Sequence, residues 1–402
     1  MKPTPSRHWA LFCLCACVCF SCQTMKSKMD LIYTGKVTGA LSQQLVATYA
    51  DSLKDPIAAE QSDEFTKWKI LYATNRLQEK NAAGETGYAN EFGDTLAYGT
   101  GQVRISRKNH SDLKSKVIQT IWQGAPDPEG QVEISSLTPA EETLFFDDLN
   151  SMLEHSPQKD ILVFVHGFNV NFPSAVTRAA QIANELPFNG AVICYSWPSQ
   201  GGIEKYLLDG EAANASVEPM AQFLESLVNS VPKGTKINIM VHSMGNRVVM
   251  RAMNRLPDLY AQTKPFQNVV LAAPDVGVSE FKKLAPAIIA QSNRVTLYSG
   301  SGDVALVASK AVNQERRAGD SREPLIMEGV ETIDVSAVDT SFMSHSYYGS
   351  NRAVLSDLFS LIKQDTAAAN RKWLLSKNHL GMNYWAFDKE PPEIKKVRAT
   401  SL

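Results

Sequence analysis

The chain has 402 residues, 44% of them hydrophobic and 20% charged, and a formal net charge of −2. That length can bury a large core and points to one large domain with extensions rather than several small ones. The near-neutral charge balance gives no support to nucleic-acid binding, and no repeat with a solenoid or propeller period is apparent.

Lys2 and Arg7 precede an apolar run at residues 9–20. It is too short to span a bilayer and suits the h-region of a secretory signal. Cys13, Cys15, Cys17, Cys19 and Cys22 all fall here, without the paired C-x-x-C spacing of a zinc site. The run CVCFSC is similar to a bacterial lipoprotein signal, with small Ser21 just before Cys22. Cys22 is therefore the expected lipidation site, and Cys17, which ends LCAC, is the alternative. An uncleaved anchor or a plain secretory signal is the simpler reading. With Cys22 lipidated, Cys194 stands alone and no intramolecular disulfide is expected. Residues 1–22 are read as signal and 23–67 as a polar tether.

The patterned region, 68–365, begins with a strand in KWKILYATNR (67–76). A Gly- and Asn-rich connection follows at 81–93, then alternating YGTGQVRISR (98–107) and a short strand VEISSL (132–137). Thr138, Pro139, Ala140 and Glu141 read as a capping box opening a helix that carries Leu144, Phe145, Leu149 and Leu153.

From residue 160 onward the strands become continuously apolar, the mark of a sheet covered on both faces. They are ILVFVHG (161–167), AVICYSW (191–197), KINIMV (236–241), NVVLAAPD (268–275) and RVTLYSG (294–300), with ETIDVS (331–336) as a last strand. Helical segments at 173–186, 211–231, 244–256, 279–290 and 351–363 alternate with them. This alternation predicts an α/β fold: a mostly parallel sheet, helices on both faces, antiparallel strands at the N-terminal side. Residues 310–328 read as a surface loop, or else a cap. The tail, 366–402, carries Trp373, Trp385 and Phe387 and is left unassigned between domain packing and a partner contact.

In such sheets ligands bind beyond the carboxyl ends of the strands. Ser243, in VHSMGNR (241–247), sits between a strand and a helix, where a sharp turn would expose its hydroxyl as a nucleophile. Val241 stands where G-x-S-x-G has its first glycine; Gly245 keeps the second. Ser243, Asp303 and His345 occur in the chain order serine, acid, histidine. His345 would act as general base and Asp303 would orient its imidazole. Asp275, one strand earlier, is the alternative acid, or a simple turn residue. The expected oxyanion donors are the backbone N–H groups of Met244 and of Phe168, the latter in HGFN (166–169). Tyr195, Trp197 and Tyr206 would border the same cleft, although Tyr195 and Trp197 read equally well as packing residues.

VFVHGFN, YSWPS, VHSMGNR, LAAPDV, SGDVAL and the late HSYY together resemble the α/β-hydrolase superfamily. YATNR and YGTGQVRIS look like a bacterial esterase/lipase-like branch of it whose function is unknown. The resemblance spans roughly residues 68–363. It implies an α/β-hydrolase fold and a serine hydrolase that cleaves a carboxylic ester through an acyl-enzyme, without cofactor or metal. The expected partners are a small-molecule or lipid ester and, through the N-terminal lipid, the membrane of the cell envelope. Acyl transfer through the same triad, or a non-catalytic envelope binding protein on this scaffold, are the alternatives. Oligomeric state is open.

Overall fold

The structure, a computed structural model, describes residues 59–62, 64–80, 84–106, 132–200, 203–301, 315–337 and 351–387. The signal and both candidate lipidation cysteines, Cys22 and Cys17, lie outside these residues. So do Asp303 and His345.

The chain opens with antiparallel ribbons: β1 (Ala59–Gln61), β2 (Phe65–Lys80), β3 (Thr86–Ser106) and β4 (Val132–Ala140). There follow α1 (Glu142–His155), β5 (Asp160–Val165), α2 (Phe172–Glu185) and β6 (Ala191–Ser196). Next come α3 (Tyr206–Ala215), α4 (Val217–Ser230), β7 (Lys236–His242), α5 (Gly245–Met253) and α6 (Leu259–Thr263). The remaining elements are β8 (Phe266–Ala272), α7 (Val278–Gln291), β9 (Ser292–Ser299), β10 (Val330–Asp334), α8 (Asn351–Ile362), β11 (Leu374–His379) and β12 (Met382–Phe387).

Among the described residues the strands form one 12-stranded sheet, in the order β11-β12-β10-β9-β8-β7-β5-β6-β2-β3-β4, with β1 on β2. From β2 to β12 along that order every neighbouring pair is parallel. Antiparallel pairing is confined to the ends. Successive side chains of β5 feed opposite cores: Ile161, Val163 and Val165 pack with α4 and α5, Leu162 and Phe164 with α2. β6 lies on one side of β5 and β7 on the other. The connections leaving β5 and β7 therefore diverge, and the crevice between them is where an open parallel sheet binds ligands.

Several local expectations are corrected. Thr138 and Pro139 do not start a helix; they pair with Thr100 and Gly99 at the end of β4, and α1 begins at Glu142 without a side-chain cap. β4 ends the strand order, and an edge strand tolerates a proline that cannot donate to a ladder. Leu144 faces solvent, while Phe146 joins Phe145, Leu149 and Leu153 in the core. The connection drawn at 81–93 is shorter, because β3 pairs from Thr86 onward, with bulges in β2 around Arg76. The helix expected at 211–231 is two, broken at Ser216, whose hydroxyl bonds back to the Ala212 carbonyl at 2.8 Å. Part of the expected surface loop is packed: Arg317, Ala318 and Asp320 are buried, and Ala318 N–H bonds the Val276 carbonyl at 2.9 Å. The Trp-rich tail becomes the β11–β12 hairpin, in which β12 pairs in parallel with β10.

Candidate active site

β7 ends at His242 and α5 begins at Gly245, so Ser243 and Met244 make the whole turn between them. Ser243 has φ +48°, the left-handed region, which costs an L-residue about 1–2 kcal/mol. Its backbone is pinned on both sides. The N–H donates to the Ala272 carbonyl at 2.9 Å, and the carbonyl accepts from Asn246 N–H at 3.1 Å and Asp275 N–H at 3.2 Å. The fully buried Asn246 adds its Nδ2 to the same carbonyl at 2.9 Å. Such over-determination is what lets a strained residue persist.

Two glycines let other chain segments crowd this turn. A Cβ on Gly245 would lie 2.3 Å from the His166 carbonyl oxygen, so the glycine of the motif is a contact requirement here. A Cβ on Gly167 would lie 2.8 Å from both Ser243 Cβ and His242 Nδ1. Val241, in the place of the missing glycine, turns into the core beside Met244 and Val248. Gly167 brings the loop after β5 against the serine. Among the described residues, no backbone acceptor takes the N–H of Phe168 or of Met244.

Beneath that loop lies a buried polar network. His166 Nδ1 bonds the Gly167 carbonyl at 2.8 Å, so Nδ1 donates and Nε2 accepts from Ser196 Oγ at 3.1 Å. Burial first, then the Arg76 charge, holds the His166 imidazole down to about 3. Burial, with Arg178 and His166 beside it, likewise keeps His242 well below the ordinary range. Both rings are neutral at physiological pH and neither suits the role of general base. Trp197 stacks on His166 and donates Nε1–H to its carbonyl at 2.9 Å. Arg76 is buried, and its Nε donates to Ser196 Oγ at 2.9 Å. Desolvation lowers its guanidinium to about 9, which leaves it charged at neutral pH.

Tyr195 and Trp197 are fully buried, so they are packing residues and not cleft walls. Their side chains project to the α4 side of the sheet, where Tyr195 meets Phe223. Tyr206 does approach the crevice: its ring meets Phe168 edge-on at 5.4 Å.

Asp275 is an ion-pair hub. Its Oδ2 accepts from Tyr206 OH at 2.6 Å and Arg247 Nη2 at 3.0 Å, and Oδ1 faces Arg317 Nε at 3.1 Å. Arg247 Nε also donates to its backbone carbonyl at 2.7 Å. A carboxylate so occupied has little capacity left to orient an imidazole.

The structure thus brings Ser243, Met244, Phe168 and Asp275 to one crevice. Arg76, Asn246 and Arg247 had no role in the sequence reading, although Arg76 ends YATNR and the other two lie within VHSMGNR.

A parallel sheet with helices on both faces, and a strained serine on a strand-to-helix turn, define an α/β hydrolase. The chain belongs to the family described as alpha/beta hydrolase of unknown function (DUF900), which matches residues 141–364. It is 22% identical over 182 residues to an uncharacterized protein of Nostoc sp. (strain PCC 7120), a match covering 39% of this chain. The match spans 46% of that relative's own length. Among solved structures it is similar to a cold-adapted esterase from an Arctic intertidal metagenomic library, at 13% identity and TM-score 0.30. That alignment covers 71% of this chain and 92% of the esterase. It is also similar to the phospholipase PlaB from Legionella pneumophila, at 13% identity and TM-score 0.31, covering 57% of this chain and 67% of PlaB.

Proposed function

We propose that this chain is a serine hydrolase that cleaves a carboxylic ester, or a related acyl bond, through an acyl-enzyme on Ser243. The observation that carries the reading is the left-handed turn at Ser243 with Gly167 packed against it. That contact supports taking the N–H of Phe168, the next residue, as one oxyanion donor; the N–H of Met244, which follows the serine just before α5, is the other. In the reaction Ser243 Oγ attacks the ester carbonyl carbon and its proton passes to His345. The two N–H groups hold the oxyanion. Collapse expels the alcohol, which takes the proton from His345, and water then repeats the sequence to release the acid. Asp303 is assigned to orient His345, since the partners of Asp275 already occupy its carboxylate.

A fluorophosphonate probe is expected to label Ser243, and p-nitrophenyl esters of graded chain length to be hydrolysed. Ser243→Ala is expected to lose both with its melting temperature little changed. Neither labelling nor turnover in the folded chain would overturn the reading in favour of a non-catalytic scaffold. We further propose attachment to the cell envelope through a lipid on Cys22, with Cys17 as the alternative. Cys22→Ser is expected to release the protein from membranes; unchanged attachment rules out Cys22.

A further inference from the structure

The reaction above uses the Phe168 N–H but leaves two buried charges beneath its loop without a role. Asp209, in the first turn of α3, is fully buried. Its Oδ2 accepts from Ser199 Oγ at 2.5 Å and Asn169 N–H at 3.2 Å, and its Oδ1 accepts from Gln200 N–H at 2.5 Å. Ser199 Oγ in turn accepts from Val170 N–H at 3.1 Å. Arg76 reaches the same loops from β2: Nη2 donates to the Val170 carbonyl at 2.7 Å and Nη1 to the Ser199 carbonyl at 3.4 Å. The two charges meet through Ser199, whose hydroxyl serves the carboxylate and whose carbonyl serves the guanidinium.

Burying a carboxylate is expensive unless donors replace its water. Here three do: Asn169 from the loop after β5, and Ser199 and Gln200 from the loop after β6. Asparagine would offer one oxygen in place of two, and its NH₂ would face a donor. The ionised side chain is therefore matched to these partners. Its contact with the loop after β5 falls at Asn169, which has φ +58° and needs its surroundings to hold it. Phe168 is the residue immediately before it. The anchor points Asn169 and Val170 thus lie two and three residues after Gly167, the residue packed against Ser243.

We propose that Asp209 is a positioning residue of the oxyanion hole. Through Asn169 N–H and Ser199 it fixes the direction of the Phe168 N–H, and Arg76 braces the far side of the same loop through Val170. The proposal rests on the reading of Ser243 as nucleophile and of Phe168 as oxyanion donor.

The test uses the full chain and the p-nitrophenyl ester it turns over fastest. The second probe is a trifluoromethyl ketone with the same alkyl chain, which captures the serine as a tetrahedral oxyanion adduct. In Asp209→Asn, kcat is expected to fall roughly ten- to a hundredfold with KM within about twofold, and the ketone to bind more weakly by the same factor. Unchanged kcat and ketone affinity in the folded variant would overturn the proposal. So would a fall in kcat with no matching loss of ketone affinity. If Asp209→Asn does not fold, Ser199→Ala removes only the bridging hydroxyl and is read the same way: a several-fold parallel loss supports the role and no loss overturns it. Ser243→Ala separates the two levels. Activity surviving in Ser243→Ala overturns the nucleophile reading itself, whereas an inactive Ser243→Ala beside a fully active Asp209→Asn overturns only the positioning role.

Discussion

The Cβ that Gly167 lacks would lie 2.8 Å from the Cβ of Ser243, closer than two such atoms can approach. The loop after β5 is therefore seated directly on the Ser243 turn, and its seating depends on the absence of a side chain. Gly167→Ala must push the loop or the turn by several tenths of an ångström. Displacements of about 1 Å near a reacting centre cost on the order of a hundredfold in rate. Turnover is expected to fall by at least about tenfold, with a stability loss of about 1–3 kcal/mol from overpacking. Unchanged kcat in Gly167→Ala would show that the loop does not serve the reaction.

The backbone strain at Ser243 is measurable without any substrate. Ser243→Ala keeps a Cβ in the left-handed region, whereas Ser243→Gly removes it. The glycine variant also gains unfolded-state entropy, which offsets part of the relief. The net expectation is that Ser243→Gly unfolds at higher urea than Ser243→Ala, by about 0.5–1 kcal/mol, with both inactive. A glycine variant less stable than the alanine variant by about 0.4–1 kcal/mol, the entropy cost alone, would mean the turn is unstrained.

Asp275 and Asp303 are expected to fail in opposite ways. Asp275→Asn strips a buried charge shared by Arg247, Arg317 and Tyr206, and breaking a buried pair costs about 3–5 kcal/mol. Its main loss should appear in the melting temperature. Asp303→Asn should instead keep stability and lose turnover by up to about 10⁴-fold, as expected for the group that orients a catalytic imidazole. The reverse pattern in denaturation and steady-state kinetics would exchange the two roles.

Acid should weaken the fold through its buried histidines. His166 is held down to about 3 by burial and by Arg76, against 6.5 in an open chain. Between those two values the unfolded chain binds a proton that the folded one refuses. The stability held in the neutral ring is complete above 6.5 and drains away as pH falls below it, at up to about 1.4 kcal/mol per pH unit. His242 is displaced in the same direction. Urea unfolding followed from about pH 7.5 to about pH 4.5 is expected to show this slope, and His166→Gln to show a shallower one. Equal slopes would remove His166 as a cause.

Parallel strand–helix alternation was legible because both faces of the sheet are covered, which forces continuous apolar runs such as ILVFVHG. The same periodicity misjudged places where tertiary contacts outweigh local preference. Pro139 reads as a helix start, yet it ends an edge strand that does not need its N–H. A single helix through Ser216 has good periodicity, yet Ser216 Oγ takes a bond from Asn75, 141 residues away in sequence, where the helix breaks. Asp209 carried no signal at all, because one carboxylate just ahead of an expected helix says nothing about the loops folded over it.

The order of residue types along the polypeptide was enough to determine the α/β class, the strand ends at which to look for a site and Ser243 as the residue to test. These follow from local periodicity and turn chemistry, which act over a few residues at a time. Only the folded arrangement decided that Gly167 abuts Ser243, that Asp275 is taken up by Arg247, Arg317 and Tyr206, and that Arg76 and Asp209 enclose the loop after β5. Each of those is a contact between segments dozens of residues apart or more, set by sheet order and close packing, which no local pattern encodes.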